Sequence, residues 1–511
     1  MYKGETFQGL LDYWGENQPD REAVFDGLRR ISYSELREES ESLAITLSQM
    51  HIQKGDKVLV FLPNWHEFII LFFAVAKIGA ILIPANVVLV EKEVNYGIGR
   101  VRPRIIFVAS KKQFAFLEPY KESCAIVTVR FEEAGYLSFT KLVEKGRNGQ
   151  AEEIQVYPED EFTIVFTSGS TGYPKGVELT YRNLFQSAKN VGYRLNCTNE
   201  ETFLVALPCC HVFCLVIGIL TPLFFGGKIV FMEKFNPLDA LELIEQETVT
   251  VNLGVPTMYI RELQELKNNQ KNISSLRTGI VAGAICPENT IQQIQQDLHC
   301  DVLIAYGSTE TVAVSMTSFA DEMVKRCQTV GRPFDGVEVK VINKDGDLAK
   351  IWEVGELFYK GYGLMKGYYG MPDKYIELVD KNGWYHTGDL ASMDESGYIK
   401  IVGRKNDMII RGGYNIYPSE VEEVYFKYPA VLDICVLGIP HQILGEQTYA
   451  FIQLRDNDEE TTESLREYAN GRIAKYKIPD KVILVNKIPK LENGKTDKQV
   501  LKDIFFRLEE S

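Results

Sequence analysis

The sequence predicts an α/β protein with a large N-terminal domain of doubly wound βα layers, a hairpin-rich subdomain and a small α+β C-terminal domain. Apolar runs of strand length alternate with helix-like stretches over residues 57–110 and again over 203–304, as in the βα units of parallel sheets. From Gly336 the pattern changes to short alternating segments with turn residues. Beyond Pro418, helical and strand-like segments form a unit of about 100 residues, which is long enough for its own core.

In the first half the predicted order is strand 57–64, helix 65–80, strand 81–88, helix 91–101 and strand 104–110. The apolar segment from Phe68 to Val90 has nearly the length of a membrane span, but Lys77, Gly79 and Pro84 interrupt it. We therefore expect a buried helix that leads into a core strand.

The second half repeats the alternation, with strands predicted at 227–233, 248–254, 278–284 and 301–307 and helices at 236–247, 256–266 and 288–298. After them, segments 337–347, 354–363 and 397–413 read as hairpins. Polar residues with a glycine, at 403–407, separate two apolar strands, so we place the domain boundary there. The predicted domains are 1–403 and 404–511.

In the C-terminal domain, Ser419 and Glu422 have the spacing of a capping box at the start of a helix. Strands are predicted at 431–440 and 449–456, and a second helix at 461–474.

The amino-acid composition excludes some classes of function. The chain has 56 Lys+Arg against 70 Asp+Glu, a net charge of −14, without a basic cluster that could bind nucleic acid. The acidic, amphipathic N-terminus resembles neither a signal nor a transit peptide, so a cytoplasmic location is expected. Nine cysteines without regular spacing fit reduced thiols, and the group Cys209, Cys210 and Cys214 around His211 lacks the second ligand pair of a zinc site.

The most informative stretch is TIVFTSGSTGYPKG, at residues 163–176. After an apolar strand, glycines can turn backbone N–H groups inward, hydroxyl side chains add donors, and a lysine adds positive charge, which together predict a phosphate-binding loop. The residues concerned are Thr167, Ser168, Gly169, Ser170, Thr171, Gly172 and Lys175. It is not a Walker A loop, because Pro174 precedes the lysine and Gly176 follows it.

Further motifs follow in chain order: LPCCH at 207–211, GA at 283–284, YGSTE at 306–310, YHTGD at 385–389, GR at 403–404, GGYNIYPSEVE at 412–422 and NGK at 493–495. Together with STGYPKG, they make the chain resemble the adenylate-forming superfamily of acyl-CoA synthetases, peptide-synthetase adenylation domains and luciferases. The resemblance covers nearly the whole chain. It implies an enzyme that joins a carboxylate to ATP, releases pyrophosphate, and passes the acyl group to a thiol, usually that of coenzyme A.

The resemblance also implies residue roles. Lys495 would bridge the carboxylate and the α-phosphate, and His211 would position the carboxylate without proton transfer. Glu310, with Thr167, would hold Mg²⁺ beside the phosphates, in keeping with the oxygen ligands that this ion prefers. The remaining nucleotide contacts would come from Gly283, Ala284 and Tyr306 along the adenine, Asp389 and Arg404 at the ribose, and Gly307, Ser308 and Thr309 near the phosphates.

The acyl pocket is expected to be lined by Val212, Phe213, Gly218, Gly254, Val255, Pro256, Met258 and Ala305. None of these residues is charged, which favours an apolar monocarboxylic acid, aliphatic before aromatic, of unspecified length.

Rotation of a mobile C-terminal domain about Asn406 would then bring Gly412 and Gly413 to the thiol channel. Many relatives carry an aromatic residue where Cys210 stands, and Asp or Lys where Asn406 stands. Two other functions stay open: an adenylating enzyme that loads a carrier protein in trans, and a nucleotide-binding sensor without chemistry.

Overall fold

The computed structural model describes residues 6–150, 154–167, 174–455, 460–491 and 495–509. Ser168, Gly169, Ser170, Thr171 and Gly172 of the predicted phosphate loop lie outside these residues.

The strands are, in chain order, β1 (Glu22–Phe25), β2 (Arg30–Ser32), β3 (Lys57–Phe61), β4 (Ile81–Pro84), β5 (Ile105–Val108), β6 (Ala125–Thr128), β7 (Leu137–Ser138), β8 (Glu161–Thr167), β9 (Lys175–Thr180), β10 (Thr202–Val205), β11 (Lys228–Phe231), β12 (Val251–Gly254), β13 (Thr278–Val281), β14 (Asp301–Tyr306), β15 (Ser315–Met316), β16 (Arg332–Pro333), β17 (Val337–Ile342), β18 (Gly355–Gly361), β19 (Gly367–Tyr368), β20 (Tyr385–Met393), β21 (Ile399–Arg404), β22 (Ile409–Arg411), β23 (Tyr414–Ile416), β24 (Val431–His441), β25 (Gly445–Leu454) and β26 (Lys481–Leu484).

The α-helices are α1 (Phe7–Asn17), α2 (Tyr33–Gln49), α3 (His66–Lys77), α4 (Glu91–Val101), α5 (Lys111–Leu117), α6 (Phe139–Gly146), α7 (Tyr181–Arg194), α8 (Thr221–Phe225), α9 (Pro237–Glu247), α10 (Pro256–Asn268), α11 (Glu288–Asp297), α12 (Met323–Gln328), α13 (Pro372–Leu378), α14 (Pro418–Phe426), α15 (Thr462–Tyr468) and α16 (Lys498–Glu509). Short 3-10 helices lie at Glu118–Tyr120, Lys405–Asp407 and Lys475–Lys477, and a π-helix lies at Cys214–Leu220.

Two large sheets form the N-terminal domain. One has the order β16-β15-β14-β13-β12-β10-β11-β1-β2, and its strands from β14 to β1 run parallel. The other has the order β19-β9-β8-β4-β3-β5-β6-β7 and is parallel from β8 to β7. The parallel sheets predicted from the two alternating regions are therefore confirmed.

The two large sheets share one hydrophobic core between them. Successive residues of a strand point to opposite faces: Val58 of β3 and Val205 of β10 both lie in the shared core, whereas Leu59 and Leu204 lie in separate outer cores. Helix α3 is buried along its length up to Lys77, as the apolar run of the sequence predicts. Among the described residues, no helix has the length and apolarity needed to cross a membrane.

The antiparallel sheet β17-β18-β20-β21 follows, and the C-terminal domain is built on the sheet β23-β22-β25-β24 with β26 paired to β25. Alternation along β24 again makes two cores, with Ile434 on one face of this sheet and Cys435 on the other. The separate α+β C-terminal domain predicted from the sequence is thus present.

Two local predictions are wrong. Segment 397–413 is not a hairpin, because β21 pairs with β20 of the large domain and β22 pairs with β23 and β25 of the small one. The chain crosses between the two sheets through the 3-10 helix Lys405–Asp407.

Ser419 and Glu422 do not form a capping box, since α14 begins at Pro418 and has no side-chain cap. The Ser419 hydroxyl donates instead to the carbonyl of Val402 in β21, and Glu422 accepts from the Val436 N–H at 2.8 Å. The predicted cap residues therefore serve tertiary contacts, one of which joins the two domains.

Candidate active site

Lys495 of the C-terminal domain lies among charged groups of the N-terminal domain. Its pKa is lowered, first by desolvation in the cleft and then by the Arg404 guanidinium, while Asp389 and Glu310 act in the opposite direction. The residue remains accessible to water, so that an anion entering the cleft can reach its ammonium. These interactions bring residues from four distant motifs into one site.

Lys495 is held by backbone contacts to residues that precede it. The Leu491 N–H donates to the Lys495 carbonyl at 2.7 Å, and Lys490 pairs with Thr496 in an antiparallel bridge. Lys490 also forms a 2.6 Å ion pair with Asp433 of β24. These contacts connect the backbone of Lys495 to the C-terminal sheet.

Asp389 lies opposite Arg404 in the pairing of β20 with β21, so that both side chains lie on the same face of this sheet. Its Oδ1 accepts from Arg404 Nε at 2.7 Å and its Oδ2 accepts from Tyr306 Oη at 2.5 Å. The residue is only 4% exposed, and burial raises its pKa against the opposing effects of Arg404 and Tyr306. The residues assigned to the ribose and to the adenine thus form one hydrogen-bonded group.

The loop after β14 is tightly built. A Cβ at Gly307 would lie 1.9 Å from the Val312 carbonyl oxygen, so only glycine fits this backbone. Val312 itself has φ 55°, a left-handed conformation that is costly for a β-branched residue. The Ser308 and Thr311 hydroxyl oxygens lie 3.0 Å apart and brace the loop. Strain of this kind is typical of a loop that must hold a side chain in a required position, here Glu310.

Glu310 makes a contact that the sequence did not predict. Its Oε1 accepts a hydrogen bond from Tyr368 Oη at 2.9 Å. Tyr368 belongs to β19, which pairs with β9 directly beyond the phosphate loop, and its ring lies 5.5 Å from Lys175 Nζ. The GY pair at 367–368 has no chemical signature, and only the strand pairing reveals its place in the site.

The two ends of the phosphate loop face each other, since Thr167 of β8 pairs with Lys175 of β9. The Thr167 hydroxyl oxygen lies 3.5 Å from the Lys175 carbonyl oxygen. The residues on either side of the predicted loop are therefore held in an antiparallel pair of strands, and Lys175 lies toward Tyr368.

His211 precedes the π-helix Cys214–Leu220, and its Nε2 is buried without a hydrogen-bond partner among the described residues. Burial first, and the charge of Lys495 second, lower the pKa of His211 to about 4. The imidazole is therefore neutral at physiological pH and able to donate or accept one hydrogen bond to a ligand. This fits a positioning group, as the sequence suggested.

Two of the cysteines near His211 pack against each other. Cys214 and Cys209 have their sulfur atoms 3.6 Å apart and are buried. Within the described residues, the cluster with metal-ligand spacing is instead Asp26, His66 and Glu67. Arg130 donates to both of those carboxylates, so that a guanidinium takes the place that a cation would need.

The predicted acyl-pocket residues fall into two groups. Val212, Phe213, Met258 and Ala305 are half-buried and pack against the shared core. Gly218, Gly254, Val255 and Pro256 are buried. A Cβ at Gly218 would lie 2.9 Å from Val205 Cγ1, and one at Gly254 would lie 3.0 Å from the Tyr259 ring. Bulk at either glycine would press on the core, so Ala305 is the better position at which to test the pocket.

The remaining predicted residues lie on exposed backbone. Gly283, with φ 83°, and Ala284 follow β13 and are exposed, and a Cβ at Gly283 would lie 3.4 Å from Val255 Cγ1. Asn406 is exposed at the centre of the 3-10 helix between the domains. The turn between β22 and β23 is formed by Gly412 and Gly413, with φ 56° and 84°.

Comparison with known proteins agrees with this geometry. A family model described as AMP-binding enzyme matches residues 11–369, and one described as AMP-binding enzyme C-terminal domain matches residues 420–495. The Bacillus subtilis protein YngI is 33% identical, covering 98% of this chain and 96% of its own. The human mitochondrial medium-chain acyl-CoA ligase ACSF2 is 31% identical, covering 98% of this chain and 87% of its own.

Among solved structures, ATP-bound MatB from Rhodopseudomonas palustris superposes with a TM-score of 0.90 at 28% identity, covering 98% of this chain and 99% of that one. The two family models together cover most of the chain. The chain therefore belongs to the AMP-binding enzymes of the adenylate-forming superfamily, as an AMP-forming acid:CoA ligase.

Proposed function

We propose that this enzyme activates an apolar monocarboxylic acid, a fatty acid in the first instance, to its acyl-adenylate and transfers the acyl group to coenzyme A. The two half-reactions would share one site, and the C-terminal domain, residues 404–511, would turn about Asn406 between them. A cytoplasmic location and the use of Mg²⁺ and coenzyme A belong to the same proposal.

The observation that supports the first half-reaction is the position of Lys495. Adenylation brings a carboxylate and the α-phosphate of ATP together, so the barrier is lowered mainly by charge neutralisation and orientation. Lys495 lies within electrostatic reach of Asp389, Glu310 and Arg404 and lowers the pKa of His211. Lys495 thus interacts with both the proposed ribose carboxylate and the proposed carboxylate-positioning histidine, which suits a cation that would bridge the α-phosphate and the acid.

Glu310, together with Thr167, is proposed to hold Mg²⁺. The donor set of a carboxylate and a hydroxyl suits a hard cation. The Tyr368 hydrogen bond engages only Oε1 of Glu310, so that Oε2 can still serve as a ligand. When bound, the ion would neutralise charge on the departing pyrophosphate.

The substrate class rests on the chemistry of the lining. The residues proposed for the acyl pocket are apolar throughout. His211 Nε2, which has no hydrogen-bond partner in the described part of the chain, is the polar group proposed to meet a single carboxylate. A second charge on the acid would find no partner in that lining and would cost several kcal/mol to bury. The name of the human relative, a medium-chain acyl-CoA ligase, favours a chain of medium length as the first to be assayed.

The test is an acid panel. Purified enzyme with ATP and Mg²⁺ is given straight-chain acids of increasing length, aromatic acids and dicarboxylic acids, each with coenzyme A, with an apo or phosphopantetheinylated carrier protein, or with neither. We expect AMP release and thioester formation with medium-chain acids and coenzyme A. Transfer only to the carrier would replace the proposal with a carrier-loading enzyme. Binding of ATP without turnover of any acid would replace it with a nucleotide sensor.

Lys495→Ala tests the site itself. We expect acid-dependent exchange of pyrophosphate into ATP to fall by at least ~10²-fold, while thioester formation from supplied acyl-AMP persists, because the lysine serves the first half-reaction only. Lys487→Ala, at an exposed lysine of the same domain, is the matched control. Equal loss of both half-reactions would contradict the role given to Lys495.

A further inference from the structure

Tyr368 joins the two charged groups that flank the proposed triphosphate site. Its hydroxyl donates to Glu310 Oε1 at 2.9 Å, and its ring face lies 5.5 Å from Lys175 Nζ, within the range of a cation–π interaction. The side chain is only 4% exposed. One buried residue thus contacts both the carboxylate proposed for Mg²⁺ and the lysine of the phosphate loop.

Strand pairing explains how Tyr368 reaches Lys175. In the antiparallel pair of β19 and β9, Tyr368 stands opposite Val177, which places it on the same face as Lys175, two residues earlier. The Tyr369 N–H donates to the Gly176 carbonyl at 2.8 Å, so this register continues up to the lysine. The ring therefore meets Lys175 as a diagonal cross-strand neighbour.

The residues just before Tyr368 are also hydrogen-bonded to the loop that contains Glu310. The Met365 N–H donates to the Glu310 carbonyl at 2.8 Å, three residues before the tyrosine whose hydroxyl binds the Glu310 side chain. Both the backbone and the side chain of Glu310 are thus held by the segment 365–368, which ends in β19. This segment links the loop after β14 to the beginning of β9.

The direction of this hydrogen bond follows from the chemistry of the two groups. A carboxylate oxygen can only accept, so the Tyr368 hydroxyl is the donor and Glu310 Oε1 is the acceptor. The phenolic proton is thus directed at the carboxylate proposed to bind Mg²⁺.

We infer that Tyr368 is a positioning residue that sets the orientation of the Glu310 carboxylate for Mg²⁺ and holds Lys175 toward the phosphates. The inference rests on the proposed magnesium role of Glu310. Hydrogen bonding to one carboxylate oxygen fixes the plane of the group and leaves the other oxygen for the metal, as partners behind metal ligands do in general. The hydroxyl orients the carboxylate proposed to bind the metal, and the ring holds the lysine. Substitutions can therefore separate the two contributions.

Tyr368→Phe removes the hydroxyl and keeps the ring. We expect the Mg²⁺ concentration for half-maximal pyrophosphate exchange to rise about tenfold, the scale of one hydrogen bond to a charged group, with the KM for the acid unchanged. Tyr368→Leu removes the ring as well, and we expect it to raise the KM for ATP in addition. The matched control is Tyr181→Phe, at a tyrosine that is also 4% exposed and donates to a core carbonyl, that of Ala76.

The control variant distinguishes a loss of Glu310 orientation from a loss of folding stability. Tyr181→Phe and Tyr368→Phe should lower the Tm by similar amounts, whereas only the second should shift the Mg²⁺ titration. A Tyr368→Phe enzyme with the wild-type Mg²⁺ titration, or one whose exchange rate falls equally at all Mg²⁺ concentrations, overturns the inference.

Glu310→Gln distinguishes this inference from the proposed function. If Glu310→Gln shifts the Mg²⁺ titration and Tyr368→Phe does not, the inference fails and the metal role stands. If neither variant shifts it, both fail together. If both shift it, the double variant should exceed Glu310→Gln by little, because the tyrosine acts through the glutamate.

Discussion

Among single residues, the lowered pKa of His211 makes a clear prediction about the pH dependence of activity. Burial and Lys495 lower its pKa to about 4, so it is neutral above about pH 5. We therefore expect that the ratio of wild-type to His211→Asn activity, measured as kcat/KM for the acid, stays constant from pH 6 to 9. A loss of wild-type activity with a pKa near 6.5 that the variant lacks would show instead that the imidazole gains or loses a proton in the reaction.

Ala305 tests the acyl pocket, since it is half-buried at the end of β14, one residue before Tyr306. Ala305→Leu should shorten the preferred acyl chain, because each methylene that no longer fits forfeits about 0.8 kcal/mol of burial. The measurement is kcat/KM across a series of straight-chain acids. Ala115→Leu, at an exposed alanine of α5 outside the proposed site, is the matched control. An unchanged chain-length profile would remove Ala305 from the lining.

Residues of the site differ in how far the sequence predicts them. Asp389 and Glu310 stand in motifs with chemical meaning, and the structure brings both to Lys495. Tyr368 does not, because its role comes from a strand pairing with β9 and a contact to Glu310, 58 positions away along the chain. A lone tyrosine beside a glycine is common in turns and strands, so only the tertiary pairing makes it informative.

At the scale of elements, α10 contains a buried acid outside the proposed chemistry. Glu262 is 1% exposed and its Oε2 accepts from Asn252 Nδ2 of β12 at 2.8 Å, while burial raises its pKa to about 8. Its folded-state pKa exceeds the unfolded value, so the folded protein retains a proton that the unfolded chain releases. The contribution of Glu262 to the free energy of unfolding should therefore fall as pH rises from about 4.5 to 8.

Glu262→Gln keeps the acceptor and removes the titration. We expect the free energy of unfolding at pH 8 to increase by at least about 1 kcal/mol relative to wild type, with no gain at pH 5. Urea unfolding at both pH values measures this. Glu265→Gln, on the same helix, should change neither value, and equal gains at both pH values would contradict the burial argument.

The opposite pH dependence of stability is expected from Asp26, which follows β1 and contacts His66 of α3. Burial opposes the charge of Asp26, but hydrogen bonds from His66 and from the Arg29 and His66 backbones overcome it, and the pKa of Asp26 is lowered. Its stabilisation is therefore complete above the unfolded pKa of about 4 and is lost progressively as pH falls from there toward the much lower folded-state pKa. Asp26→Asn should cost about 3 kcal/mol at pH 7, since Arg130 loses a buried partner, and less at pH 3. A cost independent of pH in urea unfolding would contradict this.

The sequence predicts the helices and strands whose formation depends on the local pattern of apolar residues. The alternation of apolar runs indicated β3, α3, β4 and β5 in the correct order, because each buries its side chains against the shared core. The segment around Gly403 was misread as a hairpin, since its strand-turn-strand pattern is the same whether the strands pair with each other or with different sheets. Only the partners across the domain boundary decide between those two outcomes.

For the whole molecule, the orientation of the C-terminal domain is held in part by an ion pair beside Asn406. Lys405 Nζ lies 2.8 Å from a carboxylate oxygen of Glu356 in the large domain. The lysine is exposed, so the pair contributes little stability and can break when the domain turns. On the other side of Asn406, Asp407 pairs with Lys498 at 2.6 Å within the C-terminal domain, so this contact turns with the domain.

Asn406→Pro tests that rotation. Proline fixes φ near −65°, which a 3-10 helix accepts, so the orientation that places Lys495 in the cleft should persist. We expect pyrophosphate exchange to change little, whereas transfer from acyl-adenylate to coenzyme A should slow by ~10²-fold or more, because the second orientation needs other angles.

Single-turnover assays with radiolabelled acid would follow the retained acyl-adenylate. The Tm should stay within a few degrees of wild type, since Asn406 is exposed and makes few packed contacts. Asn406→Ala, which keeps the backbone free, should transfer at the wild-type rate. If the proline variant instead loses both half-reactions equally while remaining folded, or loses neither, the pivot lies elsewhere than Asn406.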